Sequence, residues 1–257
     1  GTFILTSASY RDPFILKLNS SGNFVWVKST CAWGDVPEYE SRNGSIAVDT
    51  HGNVYITSKF VGTADLDPGA GTFHQTSAGG ADMFISKLDR VGNFVWAKAM
   101  GGIEDDEVID IFVDAAGNVY TTGTFMGTSA FDPGPEMFYL TSVGAQDIFI
   151  SKLDSSGNFV WARPIGGIGT LPATSFGISV DIHGNVYTTW ITLDTWTFDS
   201  PLWTNLGGSY SVMYVSKLDS TGYPLWVKQI GGGWEGSTAT GISVDTLGNA
   251  YTTGLFG

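Results

Sequence analysis

The stretch "DSSGNFVWA" at residues 154–162 recurs, with small changes, at three other places in the chain. The near copies read "NSSGNFVWV" at 19–27, "DRVGNFVWA" at 89–97 and "DSTGYPLWV" at 219–227. A second marker, Asp-x-x-Gly-Asn, begins at Asp49, Asp114, Asp181 and Asp245. By subtraction of residue numbers, both markers repeat every 64 to 70 residues. Two independent markers with one period indicate an array of four related units.

Each unit contains four strand-like runs, seen in the second copy as "MFISKLD" (83–89), "NFVWAKAM" (93–100), "VIDIFVD" (108–114) and "NVYTTGTF" (118–125). β-Branched and aromatic residues fill these runs, and Gly, Asn and Asp bound them, which is typical of strands. Asp-x-x-Gly favours tight hairpins, because Asp accepts a nearby backbone hydrogen bond and Gly takes a positive φ. The Asp-Pro-Gly triplets of "DLDPG" (65–69) and "FDPG" (131–134) predict type II turns.

Four strands in a unit of this length, without helical periodicity, predict one antiparallel blade of a β-propeller. We expect an all-β fold with a single domain over 1–257, whose repeat units span about 12–60, 82–125, 147–190 and 213–256. The N-terminal part supplies the last two strands of a unit and the C-terminal part supplies the first two. The expected fold is therefore a ring of four four-stranded blades, the last blade being closed by strands from both termini. The alternatives are half of an eight-bladed ring made by two copies, or a fragment of a larger propeller.

The pattern D-x-F-I-S-K-L-D-x-x-G-N-F-V-W-A-K, followed by G-I-S-V-D-x-x-G-N-V-Y-T-T-G and then F-D-P-G, resembles the bacterial β-propeller repeat family of the SBBP type. It is more distantly similar to NHL repeats. The resemblance covers essentially the whole chain and implies a secreted or surface-attached bacterial protein. It implies no particular activity for the repeat itself. The family's name refers to seven blades, whereas this chain has four units.

Composition excludes several classes of partner. The formal charge of -13 argues against a surface for nucleic acid or anionic membrane, since both require clustered Lys and Arg. No uninterrupted apolar run approaches the roughly 18 residues of a membrane span, so we expect no membrane insertion. The single Cys31 cannot form an intramolecular disulfide. Residue 1 is Gly rather than Met, which favours a processed product or a fragment. We expect a monomer or a homodimer.

Recurring charged residues are interpreted as structural. A Lys precedes Leu in every unit, at Lys17, Lys87, Lys152 and Lys217. Such residues are expected to pair with the recurring Asp or to cover aromatic faces, because catalytic residues seldom repeat fourfold. No nucleophile elbow, phosphate loop or Cys-His pair occurs. The sequence therefore predicts a protein that is not an enzyme.

The connection "WITLDTWTFDSPLWTNLGG" (190–208) departs most from its counterparts in the other units. Its extra tryptophans, with one from the corresponding loop of another unit, are the candidate ligand-binding residues: Trp190, Trp196, Trp203 and Trp234. A Trp side chain on a loop stacks on sugar rings or anchors a partner protein, because it offers a large rigid apolar face and a donor. The alternative is that these residues pack beneath long loops as satellite clusters.

The acidic run "IEDDEVID" (103–110) is the candidate metal site, with calcium as the candidate ion. Its candidate ligands are Glu104, Asp105, Asp106 and Glu107. Calcium prefers oxygen-rich flexible loops, but this run lacks the D-x-D-x-D-G spacing of a recognised ligand loop. A solvated acidic loop is the alternative, and no other cofactor is expected.

These observations favour a noncatalytic extracellular binding or scaffold module that recognises protein or polysaccharide through loops on one rim. One alternative is a carbohydrate-active hydrolase or lyase, with paired carboxylates such as Asp194 with Asp199 or Glu235. Another is an architectural segment of a surface adhesin or filament. We expect the protein to be secreted or displayed on the cell surface.

Overall fold

The computed structural model describes residues 4, 14–29, 44–132, 134, 136–167, 173–192, 196–198, 212–230 and 237–256. These residues form β-strands and turns, and they contain no helix, hence none that could cross a membrane. The strands in chain order are β1 (Phe14–Leu18), β2 (Phe24–Ser29), β3 (Ser45–Val48), β4 (Val54–Phe60), β5 (Thr63–Asp65), β6 (His74–Thr76), β7 (Asp82–Leu88), β8 (Phe94–Gly102), β9 (Glu107–Val113), β10 (Val119–Phe125), β11 (Thr128–Ala130), β12 (Tyr139–Thr141), β13 (Asp147–Leu153), β14 (Phe159–Gly167), β15 (Thr174–Val180), β16 (Val186–Thr192), β17 (Trp196–Phe198), β18 (Val212–Leu218), β19 (Pro224–Ile230), β20 (Ser237–Val244) and β21 (Ala250–Phe256).

Three sheets repeat one antiparallel meander, in which strands one to four follow each other from the inner to the outer edge. The first blade is β3-β4-β7-β8, the second is β9-β10-β13-β14, and the third is β15-β16-β18-β19. Neighbouring blades touch through their first strands, β3 with β9, β9 with β15, and β15 with β20. The all-β class and the four-stranded antiparallel unit are therefore confirmed.

Two hairpins flank these blades. The N-terminal half-blade, β1-β2, corresponds to the third and fourth strands of a unit, and the C-terminal half-blade, β20-β21, corresponds to the first and second. Ile15 packs with Val54 and Leu88, so the N-terminal half-blade stacks on the first blade. Within the described part of the chain, β21 does not pair with β1, which a composite closing blade requires. Ring closure and the count of four blades stay predictions.

The recurring aromatic strand holds neighbouring blades together. Three of the four recurring Trp side chains lie against the turn glycine of the next blade, in the pairs Trp26–Gly92, Trp96–Gly157 and Trp161–Gly222. A Cβ atom added to Gly157, whose φ is +79°, would lie 3.2 Å from the Trp96 ring. The indole of Trp161 also donates to the Ser220 carbonyl at 3.1 Å. The turn therefore needs glycine both for its backbone conformation and for this close approach.

The recurring Lys, Tyr and Asp form one unit at each blade interface. In the first blade the buried Tyr55 hydroxyl donates to Asp49 Oδ2 at 3.2 Å, and Lys87 Nζ lies 4.9 Å from the Tyr55 ring centroid. Lys87 also donates to the Ser155 carbonyl of the second blade at 3.0 Å. The same arrangement recurs at Tyr120 with Lys152 and at Tyr187 with Lys217. These contacts support the structural interpretation of the recurring lysines.

In two of the long connections, an additional strand pairs with the blade before it, whereas β5 and β6 of the first blade pair only with each other among the described strands. Strand β11 lies between the second and third strands of the second blade, yet it pairs with β8 of the first blade, Ser129 opposite Gly102. Strand β17 pairs in the same way with β14. Phe131, which follows β11, is buried with its ring 4.9 Å from that of Phe149. These pairings, which the sequence analysis missed, join consecutive blades by backbone hydrogen bonds.

The prediction of type II turns at Asp-Pro-Gly is wrong. Neither Gly69 nor Gly134 has a positive φ, which the third position of a type II turn requires. Instead, Asp67 Oδ1 accepts a hydrogen bond from the Gly69 amide at 2.7 Å, and Asp132 does the same for Gly134. The Asp side chain, rather than a left-handed glycine, determines these turns.

Candidate binding rim

The strand order separates two ends of the blades. Because strands alternate in direction, every Asp-x-x-Gly turn lies at one end, here named the tight-turn rim. The long connections leave and enter the strands at the opposite end, here named the long-connection rim. Its described parts are 61–81, 101–106, 126–132, 134 and 136–146, together with the strand ends at 14, 29, 45, 167, 174, 192, 212, 230, 237 and 256. The candidate residues that the structure describes, Trp190, Trp196 and the acidic residues 104–107, lie on segments that begin or end at this rim.

Trp190 lies in the core and not on a loop. It belongs to strand β16, its exposed fraction is 0%, and its ring stacks on Tyr214 with a centroid distance of 4.4 Å. Its indole nitrogen donates to Ser216 Oγ at 3.2 Å. The corresponding position in the second blade is Gly123, where an added Cβ atom would lie 2.7 Å from the Phe149 ring. The expectation that Trp190 is a loop residue is wrong, because Trp190 lies in a strand and its ring is buried.

Of the other candidate tryptophans, the structure describes only the backbone of Trp196. The Trp196 backbone is part of β17, opposite Gly167 of β14. Trp203 and Trp234 lie outside the residues that the structure describes. The carboxylates considered for hydrolysis, Asp194, Asp199 and Glu235, lie outside them as well. Binding through this aromatic set stays a prediction.

The four acidic candidates lie in different surroundings. Asp105 Oδ1 accepts a hydrogen bond from the Ala81 amide at 2.8 Å, whereas Glu107 lies 3.7 Å from Lys59 Nζ. Glu104 is exposed, and Asp106 is buried. Over the described ranges, no group of three or more acidic, His or Cys side chains is placed to hold a metal ion. The run is therefore an acidic connection whose carboxylates do not converge.

Asp106 forms a buried carboxylate pair with Asp82, a residue that the sequence analysis did not single out. Asp106 accepts hydrogen bonds from the Gly102 amide at 2.7 Å and from Ser129 Oγ at 2.8 Å. Asp82 Oδ2 accepts from the Ala78 amide at 3.0 Å, while its buried Oδ1 has no hydrogen-bond partner among the described residues. A Cβ atom on Gly101 would lie 2.4 Å from Asp82 Oδ1 and 3.0 Å from Asp106 Oδ2. Both carboxylates therefore lie against Gly101.

Burial governs the protonation of this pair. It raises the pKa of Asp82 to about 6 and that of Asp106 to about 7, although hydrogen bonds from neighbouring amides oppose the shift. The charge of Asp82 raises the pKa of Asp106 further. A sequence signal existed, since the position of Asp106 is filled by Ala173 and Ser237 in the later units. A nonrecurring acid at a position otherwise held by small residues marks this site.

The long-connection rim also exposes apolar side chains. Ile103 is 77% exposed and Val143 is 58% exposed, each within a connection that differs between units. Among the described residues, the rim presents backbone groups, carboxylates and such apolar side chains. Its buried acids face the protein interior. Connections held by a rigid scaffold are the parts of a fold that most often contact a partner.

Comparisons with known proteins agree with the fold. Residues 225–255 match the SBBP family model, described as "Beta-propeller repeat", so the resemblance to this repeat family is confirmed. The chain is also 27% identical, over 199 residues, to an uncharacterized WD repeat-containing protein of Acanthamoeba polyphaga mimivirus. That match covers 69% of this chain and 13% of the viral protein. The chain thus spans a small part of the length of this relative.

Proposed function

We propose that this chain is a noncatalytic binding or scaffold module that recognises a protein or polysaccharide partner through its long-connection rim. The observation that carries the proposal is the division of residues between the two rims. Recurring residues are used in turns and blade interfaces, whereas the residues that differ between units gather on connections of one rim. In repeat folds, loops held by a rigid scaffold are the usual carriers of recognition.

The comparisons support the same class of function. A propeller repeat and a relative named for WD repeats both point to a repeat-built platform. In this proposal the protein works outside a bacterial cell, secreted or attached to its surface, as part of a propeller ring. A net charge of -13 disfavours polyanionic partners and favours neutral polysaccharide or a protein surface with basic groups.

The proposal is tested on a printed array of polysaccharides and on immobilised basic and neutral proteins. Rim variants would be Trp196→Ala and Ile103→Asp. The matched controls are Ile182→Asp and Leu247→Asp, because these side chains are 70% and 86% exposed on tight turns at the opposite rim. We expect the rim variants to weaken binding at least tenfold and the controls to leave it unchanged.

Two results would overturn the proposal. Equal binding by the rim variants and the controls would remove the long-connection rim as the site. Release of reducing sugar or unsaturated product from a polysaccharide on the same array would replace a binding module with an enzyme. Circular dichroism of each variant excludes unfolding as the cause of lost binding.

A further inference from the structure

Asp106 joins separate segments of the long-connection rim. Its carboxylate accepts a hydrogen bond from the Gly102 amide at the end of β8, at 2.7 Å. It also accepts hydrogen bonds from the Met126 amide at 3.3 Å and from Ser129 Oγ at 2.8 Å, both in the connection that follows β10. The amide of Asp106 donates to the Ala81 carbonyl at 2.7 Å, in the connection that precedes β7. Segments of two blades are therefore held together at one buried residue.

The carboxylate of Asp82, the first residue of β7, occupies the same buried space. Its Oδ2 accepts a hydrogen bond from the Ala78 amide at 3.0 Å, and its buried Oδ1 has no hydrogen-bond partner among the described residues. Gly101 lies against the carboxylates of both Asp82 and Asp106. Two carboxylates in one buried space repel each other when both are ionised, because little water is present to screen the charges.

The second blade shows that one carboxylate is sufficient at such a junction. Asp147, the counterpart of Asp82, accepts a hydrogen bond from the Val143 amide at 2.8 Å. At this next junction the position of Asp106 is held by Ala173, which cannot ionise. The carboxyl group of Asp106 is therefore not a general requirement of the repeat. It adds a proton-binding group to one junction.

The charged groups around the pair leave burial and mutual repulsion as the main influences on its protonation. The backbone segments that contact the pair, 78–81, 101–102 and 126–130, contain no other titratable side chain. On the neighbouring parts of β4, β9 and the connection between β8 and β9, the charged side chains are one exposed acid, one acid bonded to a backbone amide and one ion pair. They are Glu104, Asp105 with the Ala81 amide at 2.8 Å, and Lys59 with Glu107 at 3.7 Å.

We propose that Asp82 and Asp106 form a proton-controlled latch, which holds the connections of the long-connection rim together while protons are bound and releases them when the protons are lost. Burial raises the pKa of Asp82 to about 6 and that of Asp106 to about 7. The closed rim is therefore favoured below this range and is lost as the pH rises through it. Local opening lets water reach the two charges and costs less than unfolding the blades.

The latch gives the rim a means of regulation, and this step rests on the proposed function of the rim. Ile103 is 77% exposed and lies in the same connection as Asp106. Release of this connection changes the positions of the side chains that a partner contacts. A partner bound at the rim is therefore held more tightly at mildly acidic pH than at neutral pH.

Amide hydrogen exchange of the unmodified chain tests the latch without any partner. The reporters are the amides of Ala78, Gly102 and Met126, which donate to the pair. Their protection factors, corrected for the intrinsic effect of pH on exchange, should fall at least about tenfold between about pH 5 and about pH 7. The matched control is the Asn93 amide, which donates to Asp89 on the tight-turn rim at 2.8 Å. Hydrogen bonds lower the pKa of Asp89, so this carboxylate stays ionised and the protection of Asn93 should stay constant.

Substitutions separate the latch from a general loss of stability. Asp106→Asn should abolish the pH dependence of protection at Gly102 and Met126, whereas Glu104→Gln, at an exposed acid of the same connection, should retain it. Asp82→Asn, which should reduce the pH dependence, replaces the first variant if that variant does not fold. Constant protection of the reporters in the unmodified chain would overturn the proposal. An equal loss at Asn93 would also overturn it, because the whole domain and not a local latch would then respond.

The effect on recognition is measured on the array of polysaccharides and proteins at about pH 5 and about pH 7. Binding should be about tenfold weaker at the higher pH, and Asp106→Asn should bind equally at both. Equal binding by the unmodified chain at both pH values would remove the regulatory role. If no component of the array is bound at either pH, the proposed function fails, whereas hydrogen exchange still decides whether the latch exists.

Discussion

Replacing Asp106 by asparagine should change how the stability of this protein depends on pH. Burial raises the pKa of Asp106 to about 7 and that of Asp82 to about 6, from an ordinary value of 3.8. The folded state therefore holds protons on these groups that the unfolded chain has released. Their stabilising contribution is fully present below the unfolded pKa and is lost as pH rises through the folded pKa.

The magnitude follows from the size of the shifts. Each pKa unit corresponds to about 1.4 kcal/mol. As the pH rises, the free energy of unfolding should therefore fall by on the order of 4 kcal/mol through Asp106 and on the order of 3 kcal/mol through Asp82. Asp106 is 0% exposed and Asp82 is 5% exposed, so solvent screening reduces these values little. An asparagine side chain cannot ionise. The free energy of unfolding of Asp106→Asn should thus fall less between about pH 4 and about pH 8 than that of the unchanged protein, by several kcal/mol.

The measurement is urea unfolding at closely spaced pH values, followed by tryptophan fluorescence. Glu104→Gln is the matched control, because it removes one negative charge from an exposed side chain of the same connection. The turn carboxylates affect the pH dependence of stability in the opposite direction. Burial of Asp49 is outweighed by its hydrogen bonds, which lower its pKa, so its contribution to stability is lost as the pH falls. The pH profiles of the variants must therefore be compared with that of the unchanged protein. Parallel pH profiles for Asp106→Asn and the unchanged protein would refute the buried-pair argument.

Three further outcomes are expected. Gly157→Ala should destabilise the fold by about 2 to 4 kcal/mol in thermal or urea unfolding, because it adds a clash with Trp96 to backbone strain. Gly62→Ala, where φ is +69° and the space around an added Cβ is open, should destabilise it by only about 1 to 2 kcal/mol. Equal losses would contradict the interface role of the turn. Trp161→Ala should lower the free energy of unfolding by about 3 to 5 kcal/mol, as measured by urea unfolding. Val160→Ala, at a half-exposed position, should lower it by less than about 1 kcal/mol. Calcium should leave the melting temperature unchanged relative to a chelator, because the acidic side chains do not converge, and a rise of several degrees would disprove this.

Much of the fold was predictable because its determinants are local. Asp89 accepts hydrogen bonds from the amides of Val91 and Asn93, so the turn is made by residues at most four apart. The period, the strand order within a unit and the structural role of the recurring Lys follow from such short patterns. The candidate site was less predictable. Trp190 resembled a loop residue in the sequence, and its burial depends on Tyr214, a residue on another strand.

Short sequence patterns predict the repeat, the antiparallel blades and the Asp-x-x-Gly turns, since hydrogen bonds and side-chain alternation within a few residues specify them. Which blade a long connection joins is fixed only in the folded chain, as in the pairing of β11 with β8. Packing in the folded chain also brings Asp82 and Asp106 into one buried space. These features depend on packing between residues that lie far apart in the chain or in different units, and short sequence patterns carry no information about such distances.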